Sequence, residues 1–272
     1  MSTRKDLPIG VFDSGLGGLT VVKEIQKQLP SEHVIYLGDS ARVPYGTRSA
    51  ETIERYAWTC AEFLVRQGLK MLVVACNTAS AVAINSLRSR VDVPVQGVIT
   101  AGARAAISAS KNHQIGVIGT AGTIASKAYP TEIAAIDPSF KVFQNPAPLL
   151  VPLAEEGWTE GDVPELAIRR YTKPLIEKNI DVLMLGCTHY PLLRKAIAKE
   201  LLSQNSNAVI VDSATAMASD VRQILEHNEL RNTSTAAGRL NCFVTDLPAS
   251  FNKVAKRFLG QSIEGAKKVD IS

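Results

Sequence analysis

The sequence predicts an α/β fold in which two pseudo-symmetric, doubly wound parallel-sheet domains face each other across a cleft. Two observations lead to this prediction. Short apolar runs of strand length alternate with helical patterns along the chain, which is typical of parallel sheets covered by helices on both faces. The series of elements then begins again near the middle of the 272 residues, so the second half is an internal repeat of the first.

The first half contains four strand patterns separated by helical patterns. The first helix must end before Pro30, because proline cannot continue a helix. A loop with Pro44, Tyr45 and Gly46 follows the second strand, and its proline and glycine predict a turn close to the cleft. We expect strands at residues 9–12, 33–38, 71–75 and 93–99, and helices ending at residue 29 and spanning 49–67 and 81–87.

The second half repeats this series from a strand at residues 114–118, which leads into a small polar turn at Thr120. Segment 148–153 carries two prolines and is expected to be extended. The remaining predicted elements are strands at 183–186, 208–212 and 240–244, helices at 192–202, 213–227 and 250–259, and a loose tail at 267–272. We assign residues 1–99 and 210–272 to the first domain and residues 100–209 to the second.

The glycine-rich turn after the first strand, DSGLGGLT at 13–20, has two interpretations. A strand, a glycine-rich turn and a helix also open dinucleotide-binding folds, but the glycines do not follow GxGxxG and no acidic residue is suitably placed after the second strand. The glycines instead predict close approach of the backbone to a small ligand, with Asp13 and Ser14 pointing toward it. A helix-capping role for Asp13 remains open.

The four cysteines fall into two groups. Cys60 lies on a helical apolar stripe and Cys242 in a strand pattern, so both are expected to be buried hydrophobic residues. Cys76 and Cys187 instead end apolar strands and precede helical patterns, where ligands bind in open α/β sheets and where a helix N-terminus stabilises a thiolate. In two domains that face each other, these two cysteines would lie on opposite walls of the cleft.

Composition and charge exclude several classes of protein. The net charge of +4 is not concentrated in a basic patch, so nucleic acid is not an expected partner. No apolar run reaches the roughly 18 residues of a membrane span. The first residues have no apolar core typical of a signal peptide, and we expect a cytoplasmic protein with free thiols.

Two opposed thiols have three possible uses. A redox pair usually has neighbouring cysteines, and a metal site would need further ligands, of which only His189 is comparably placed. The third use is removal of a proton from one face of a carbon and delivery of a proton to the other face. Asp13 and His189 are candidate proton-handling neighbours, while Asn77, Thr78 and Thr188 could hold a carboxylate. This describes racemisation without cofactor or metal.

Glu155 has two interpretations. It is one of two adjacent carboxylates after the proline-containing segment, and a solvated pair at a helix start would explain both. Alternatively, Glu155 reaches the cleft and forms a hydrogen bond with a basic partner such as His189.

Four motifs resemble the glutamate racemases across nearly the whole chain: FDSGLGGL (12–19), PYG (44–46), ACNTAS (75–80) and LGCTHYPL (185–192). The resemblance implies two pseudo-symmetric α/β domains, with the first completed by the C-terminal segment. It also implies that Cys76 and Cys187 are the acid–base residues, with Asp13 near the first, His189 near the second and Glu155 behind the histidine. Residues that match the family's substrate contacts are Ser14, Tyr45, Gly46, Asn77, Thr78, Thr188 and His189, and Asp13 and Thr120 are further candidates.

The expected activity is therefore interconversion of L- and D-glutamate for peptidoglycan, in a protein that the family suggests is a homodimer. Aspartate racemases and related two-cysteine isomerases are the alternative, but they usually have GCTE where this chain has GCTH at 186–189. A non-catalytic regulator, such as a topoisomerase-binding protein, and a redox sensor built on the two thiols are the other hypotheses.

Overall fold

The computed structural model describes residues 4–271, and its strands form two sheets that are parallel throughout. The strands in these residues are β1 (Ile9–Asp13), β2 (Val34–Gly38), β3 (Met71–Val74), β4 (Val95–Gly97), β5 (Gln114–Gly119), β6 (Lys141–Pro146), β7 (Val182–Gly186), β8 (Val209–Asp212), β9 (Leu240–Val244) and β10 (Lys267–Lys268). The first sheet has the order β10-β9-β2-β1-β3-β4, and the second has the order β6-β5-β7-β8.

Helices cover both faces of each sheet. In residues 4–271 they are α1 (Leu19–Gln28), α2 (Ala50–Val65), α3 (Asn77–Arg88), α4 (Val98–Ala109), α5 (Ala121–Ala125), α6 (Ala128–Ile136), α7 (Leu150–Glu156), α8 (Asp162–Ile176), α9 (Arg194–Ser203), α10 (Ser213–His227) and α11 (Phe251–Leu259). Each sheet therefore has one apolar core on each face, which explains why the central strands β1, β3 and β7 are buried at every residue. The predicted α/β class with doubly wound parallel sheets is confirmed.

The internal repeat is visible in the strand order. In the first sheet β1 lies between β2 and β3, with β4 beyond β3, and in the second sheet β5 lies between β6 and β7, with β8 beyond β7. The two halves thus have the same arrangement of four strands, and β9 and β10 extend the first sheet. The C-terminal segment completes the first sheet, as the resemblance implied.

Three local predictions were wrong. The strand expected at 93–99 ends at Gly97, and Val98 already begins α4. Segment 148–153 is not extended, because Leu150 begins α7 and Pro152 lies in its first turn, where a missing N–H costs no helical hydrogen bond. The tail is not loose, since Lys267–Lys268 pairs with β9 and the Val269 N–H donates to the Val244 carbonyl. Ser272 lies outside the described residues.

The division into domains remains a proposal. We propose two domains, each built on one sheet, with the first formed by two separate parts of the chain. The predicted boundary at 209/210 falls within β8, which pairs with β7 up to Asp212. The second sheet therefore extends to Asp212, three residues beyond that boundary. Residues 1–3 of the proposed first domain lie outside the described part of the chain.

The carboxyl ends of the strands in both sheets point toward a common region. Thr78, in the first turn of α3, shares a hydrogen bond of 2.9 Å between its Oγ1 and that of Thr120, which follows β5. Thr20 Oγ1 lies 3.2 Å from the carbonyl oxygen of Thr188, which follows β7. These contacts bring the ends of β1 and β3 opposite those of β5 and β7. Of the helices in residues 4–271, none has both the length and the apolar composition to span a bilayer.

Candidate active site

A cavity of about 340 Å³ lies between the two sheets, at the carboxyl ends of their strands. It is bordered by both Cys76 and Cys187. All but one of the site residues predicted from the sequence border this cavity, namely Ser14, Tyr45, Gly46, Cys76, Asn77, Thr78, Thr120, Glu155, Cys187, Thr188 and His189. The exception is Asp13. A larger cavity of about 590 Å³, beside α1 and α10, is bordered by neither thiol, so we place the candidate active site in the smaller one.

Cys76 lies at the junction between β3 and α3, as the N-cap residue of the helix. Its sulfur accepts a hydrogen bond from the Ala79 N–H at 3.5 Å and donates its own proton to Ser14 Oγ at 3.5 Å. Burial, followed by the negative charge of Asp13, raises the pKa of the Cys76 thiol to about 12. The helix N-terminus does not overcome this effect, so Cys76 is a neutral thiol near pH 7.

Asp13 ends β1 and is completely buried. Its Oδ2 accepts the Gly15 N–H at 3.2 Å, while Oδ1 has no hydrogen-bond partner among the described residues. Burial raises the pKa of this carboxyl, and the positive charge of His189 opposes the rise. Asp13 is not the cap of α1, because Gly18 occupies that position. It does not border the cavity in this structure, and its contact with substrate stays a prediction.

Cys187 follows β7 and faces a histidine–carboxylate pair. Its sulfur lies 3.8 Å from His189 Nδ1, and His189 Nε2 lies 3.0 Å from Glu155 Oε1. The contact between Glu155 and His189, which the sequence left open, is therefore present. Unlike Cys76, Cys187 does not cap an α-helix, because the short 3₁₀ turn Tyr190–Leu193 precedes α9.

The electrostatic state of His189 follows from its neighbours. Burial opposes a charged imidazole, but the hydrogen bonds with Cys187 and Glu155 outweigh it and raise the pKa of His189 to about 10. The hydrogen bond with His189 in turn lowers the pKa of Glu155. His189 is therefore an imidazolium near neutral pH, with one N–H directed at the Cys187 sulfur and the other at Glu155.

Several predicted substrate contacts form hydrogen bonds with other side chains of the protein in this structure. Asn77 accepts the Tyr129 hydroxyl proton at 2.8 Å, and its amide nitrogen lies 3.4 Å from Ser213 Oγ. Tyr45 borders the cavity, but its hydroxyl donates to Asp39 Oδ2. Hydroxyl groups and the Asn77 amide provide most of the polar lining, and no lysine or arginine of residues 4–271 borders the cavity. Within residues 4–271 no group of His, Cys, Asp or Glu has an arrangement suited to a metal ion.

Some parts of the site had no sequence signal. Apolar and small side chains that border the cavity were not predicted: Val43, Pro44, Thr47, Ala121, Pro148, Val151 and Pro152. Phe258 and Arg257 of α11 contact the His189–Glu155 pair from the other part of the chain. Their helix is strongly amphipathic, which predicts that it packs on a core but not that it reaches this site.

Comparison with known proteins agrees with this arrangement. The model of the Asp/Glu/Hydantoin racemase family matches residues 9–221, which is most of the chain. The chain belongs to the Asp/Glu/Hydantoin racemase family. It is 48% identical to a glutamate racemase from Geobacter metallireducens, over 97% of this chain and 96% of that protein.

Solved structures of racemases have the same fold. A glutamate racemase from Francisella tularensis in complex with D-glutamate has a TM-score of 0.92 and 38% identity, covering 98% of this chain and 99% of that one. The glutamate racemase isoform RacE1 from Bacillus anthracis has a TM-score of 0.93 and 41% identity, covering 98% of both chains. As a racemase, this chain must exchange a proton at a stereocentre. Two acid–base groups that border one cavity from different sheets are suited to that task.

Proposed function

We propose that this racemase interconverts L-glutamate and D-glutamate without a cofactor, and that it supplies D-glutamate for peptidoglycan. The observation that carries the proposal is the pair of thiols, Cys76 and Cys187, that border one cavity from two sheets. One sulfur, as thiolate, removes the Cα proton from one face, and the other, as thiol, donates its proton to the opposite face. The names of the similar racemases support glutamate as the substrate.

The surroundings of the two sulfurs suit opposite starting states. Cys76 is held as a thiol by burial and by the nearby Asp13, so it is ready to donate a proton. His189 Nδ1 lies 3.8 Å from the Cys187 sulfur, so an imidazolium stands beside the group that would take the Cα proton. The free enzyme is thus arranged for proton removal by Cys187 and delivery by Cys76. In the opposite direction Cys76 must lose its proton, and Asp13, whose pKa is raised, is a better proton acceptor than an ordinary carboxylate.

Binding of glutamate would rely on neutral donors. The substrate carries two carboxylates and one ammonium group, and the cavity offers hydroxyls and amides rather than lysine or arginine. The N-terminus of α3, beginning at Asn77, adds backbone N–H groups and a favourable dipole. The hydrogen bond between Thr78 and Thr120 would exchange for bonds to the substrate. Burial of the reacting carbon away from water strengthens these interactions as carbanion charge develops at Cα.

The first experiment follows the optical rotation of L-glutamate with purified protein in D₂O, with a chelator and no added cofactor. Decay of the rotation to zero with deuterium entering at Cα is the expected result. Activity with L-aspartate but not L-glutamate would move the assignment to an aspartate racemase. Inactivity with both substrates would contradict the proposal. Sedimentation of the same sample tests the homodimer that the family resemblance suggests.

A further inference from the structure

We propose that Arg257 and Phe258, consecutive residues of α11, position His189 and Glu155. They thereby support proton transfer at Cys187 and not at Cys76. This inference rests on the proposed function, because the two halves exist only if both thiols transfer protons. The helix that carries these two residues packs on α1 beside the first sheet, whereas His189 and Glu155 follow strands of the second sheet. The support therefore crosses from one sheet to the other.

Phe258 contacts the imidazole directly. The two rings have centroids 5.0 Å apart and planes at 78°, so the arrangement is edge-to-face. Phe258 is 1% exposed and belongs to the apolar core formed with α1 and α10, which fixes its ring. A fixed aromatic ring against one side of His189 restricts the imidazole to the orientation that faces both Cys187 and Glu155.

Arg257 acts on the other member of the pair. Its guanidinium donates to the backbone carbonyl of Glu155. It also lies against Gly157, where a Cβ atom would be 2.8 Å from the arginine Nε. Gly157 has a φ of +77° and ends α7, so the positive charge of Arg257 is located where a helix C-terminus favours it. Arg257 therefore holds the last turn of α7, which carries Glu155.

Glu155 needs such support because its side chain is 42% exposed, while that of His189 is 7% exposed. A half-exposed carboxylate can turn toward water, and the free energy of an exposed ion pair is small. A fixed backbone removes part of this freedom. The hydrogen-bond partners of Cys76, by contrast, are Ser14 and Ala79, and neither belongs to α11. Loss of Arg257 should thus leave proton transfer at Cys76 unchanged.

L- and D-glutamate are equally stable, so every variant must have the same kcat/KM in the two directions. Because kcat/KM alone cannot show which thiol is affected, the kinetic test uses isotope effects. In Arg257→Ala we expect kcat/KM to fall on the order of 10-fold. With glutamate deuterated at Cα, the isotope effect on kcat/KM should rise for the enantiomer that Cys187 deprotonates and fall for the other. His189→Asn should shift both isotope effects in the same senses, and Ser14→Ala, on the Cys76 side, in the opposite senses.

A merely structural role would lower the fraction of active enzyme and leave isotope effects unchanged. Lys256→Ala is the matched control, since it removes an exposed positive charge from the same helix. Arg257→Lys should recover part of the lost rate. Phe258→Leu keeps an apolar side chain in the core and should shift the isotope effects in the same senses as Arg257→Ala. Wild-type isotope effects in Arg257→Ala, or equal shifts for both enantiomers, would overturn the proposal.

A second measurement needs no turnover. In an NMR titration, Arg257→Ala should lower the pKa of His189, because Glu155 is no longer held against it. Removal of a nearby positive charge alone would raise that pKa, so the two causes have opposite signs. The charged groups that face His189, namely Cys187, Glu155 and Asp13, are the same in both proteins. An unchanged or raised pKa of His189 in Arg257→Ala would overturn this proposal. If the wild type is inactive but the pKa of His189 is lowered in the variant, only the proposed function is overturned.

Discussion

The two thiols of the cavity have different electrostatic surroundings although they occupy equivalent places in a repeated fold. A buried carboxyl, Asp13, lies near Cys76, and an imidazolium, His189, lies 3.8 Å from the Cys187 sulfur. The two sulfurs therefore face neighbouring groups of opposite charge. Such a difference gives each thiol its own neighbour for handling a proton when it acts as the base or as the acid.

Replacing either thiol should separate the two half-reactions. We expect Cys76→Ala and Cys187→Ala each to lose at least about 10³-fold in racemisation, because one acid–base group is absent. The remaining thiol can still exchange the Cα proton of one enantiomer with D₂O, without inversion. Proton NMR should show exchange of the Cα proton of one enantiomer in Cys76→Ala and of the other enantiomer in Cys187→Ala. Cys242→Ala, off the cavity, is the control, and exchange of the same enantiomer by both variants would contradict the model.

Cys242 itself gives a pH-dependent prediction of stability. Burial in β9 raises the pKa of its thiol to about 12, whereas in the unfolded chain the value is about 8.5. Above pH 8.5 the folded state therefore binds more protons than the unfolded state, and stability is lost as pH rises toward 12. The stability advantage of wild type over Cys242→Ala should shrink by about 1.4 kcal/mol per pH unit in this range. Urea unfolding of both proteins at pH 8 and pH 10.5 measures this difference in the free energy of unfolding. The same difference at the two pH values would contradict the prediction.

At the scale of secondary-structure elements, the loop after β2 is fixed by one buried carboxylate. Asp39 Oδ2 accepts hydrogen bonds from Arg42 Nε at 2.6 Å and from the Tyr45 hydroxyl, and Oδ1 accepts the Thr245 hydroxyl proton at 2.9 Å. Asp39 is completely buried. It therefore ties a wall of the cavity to the end of β9.

Asp39→Asn should loosen this wall. The amide oxygen can accept fewer of the three hydrogen bonds, and the NH₂ group would face hydrogen-bond donors. We expect the free energy of unfolding to fall by about 2 kcal/mol. We expect KM for glutamate to rise about 10-fold, with a smaller change in kcat, because the loop borders the cavity and carries neither thiol. Thr245→Val removes one of the three bonds and should give a smaller effect. A fall in kcat with unchanged KM would contradict this role.

The elements also show what the sequence could predict. Strands such as β3 and β7 are buried on both faces, so their continuous apolar runs identify them, and the polar residues after them mark the site at Cys76 and Cys187. Segment 148–153 was misjudged, because a proline in a first helical turn has the same local sequence as one in an extended segment. The approach of Phe258 to His189 depends on how two distant parts of the chain pack, which no local pattern encodes.

At the scale of the whole molecule, the site exists only where the two sheets meet, and glycines allow that approach. A Cβ atom on Gly46 would lie 3.0 Å from the Thr120 Cβ, and one on Gly122 would lie 3.0 Å from the Gly46 carbonyl oxygen. A Cβ atom on Gly17 would overlap Thr188 Oγ1 and His189 Nδ1. The loop after β1 thus approaches the residues beside Cys187 more closely than any larger side chain permits.

Gly17→Ala should therefore impair catalysis while leaving both apolar cores intact. The added methyl group must displace His189 or separate the two sheets, and a shift of about 1 Å costs on the order of 100-fold in rate. Gly15→Ala is a control in the same loop, because its Cβ would meet only the Val43 Cγ2 atom, at 3.6 Å. Neither glycine has a positive φ, so backbone strain does not separate the two variants. Racemisation rates and thermal unfolding of both variants test this, and equal activity would mean that the close approach at Gly17 is not needed for the reaction.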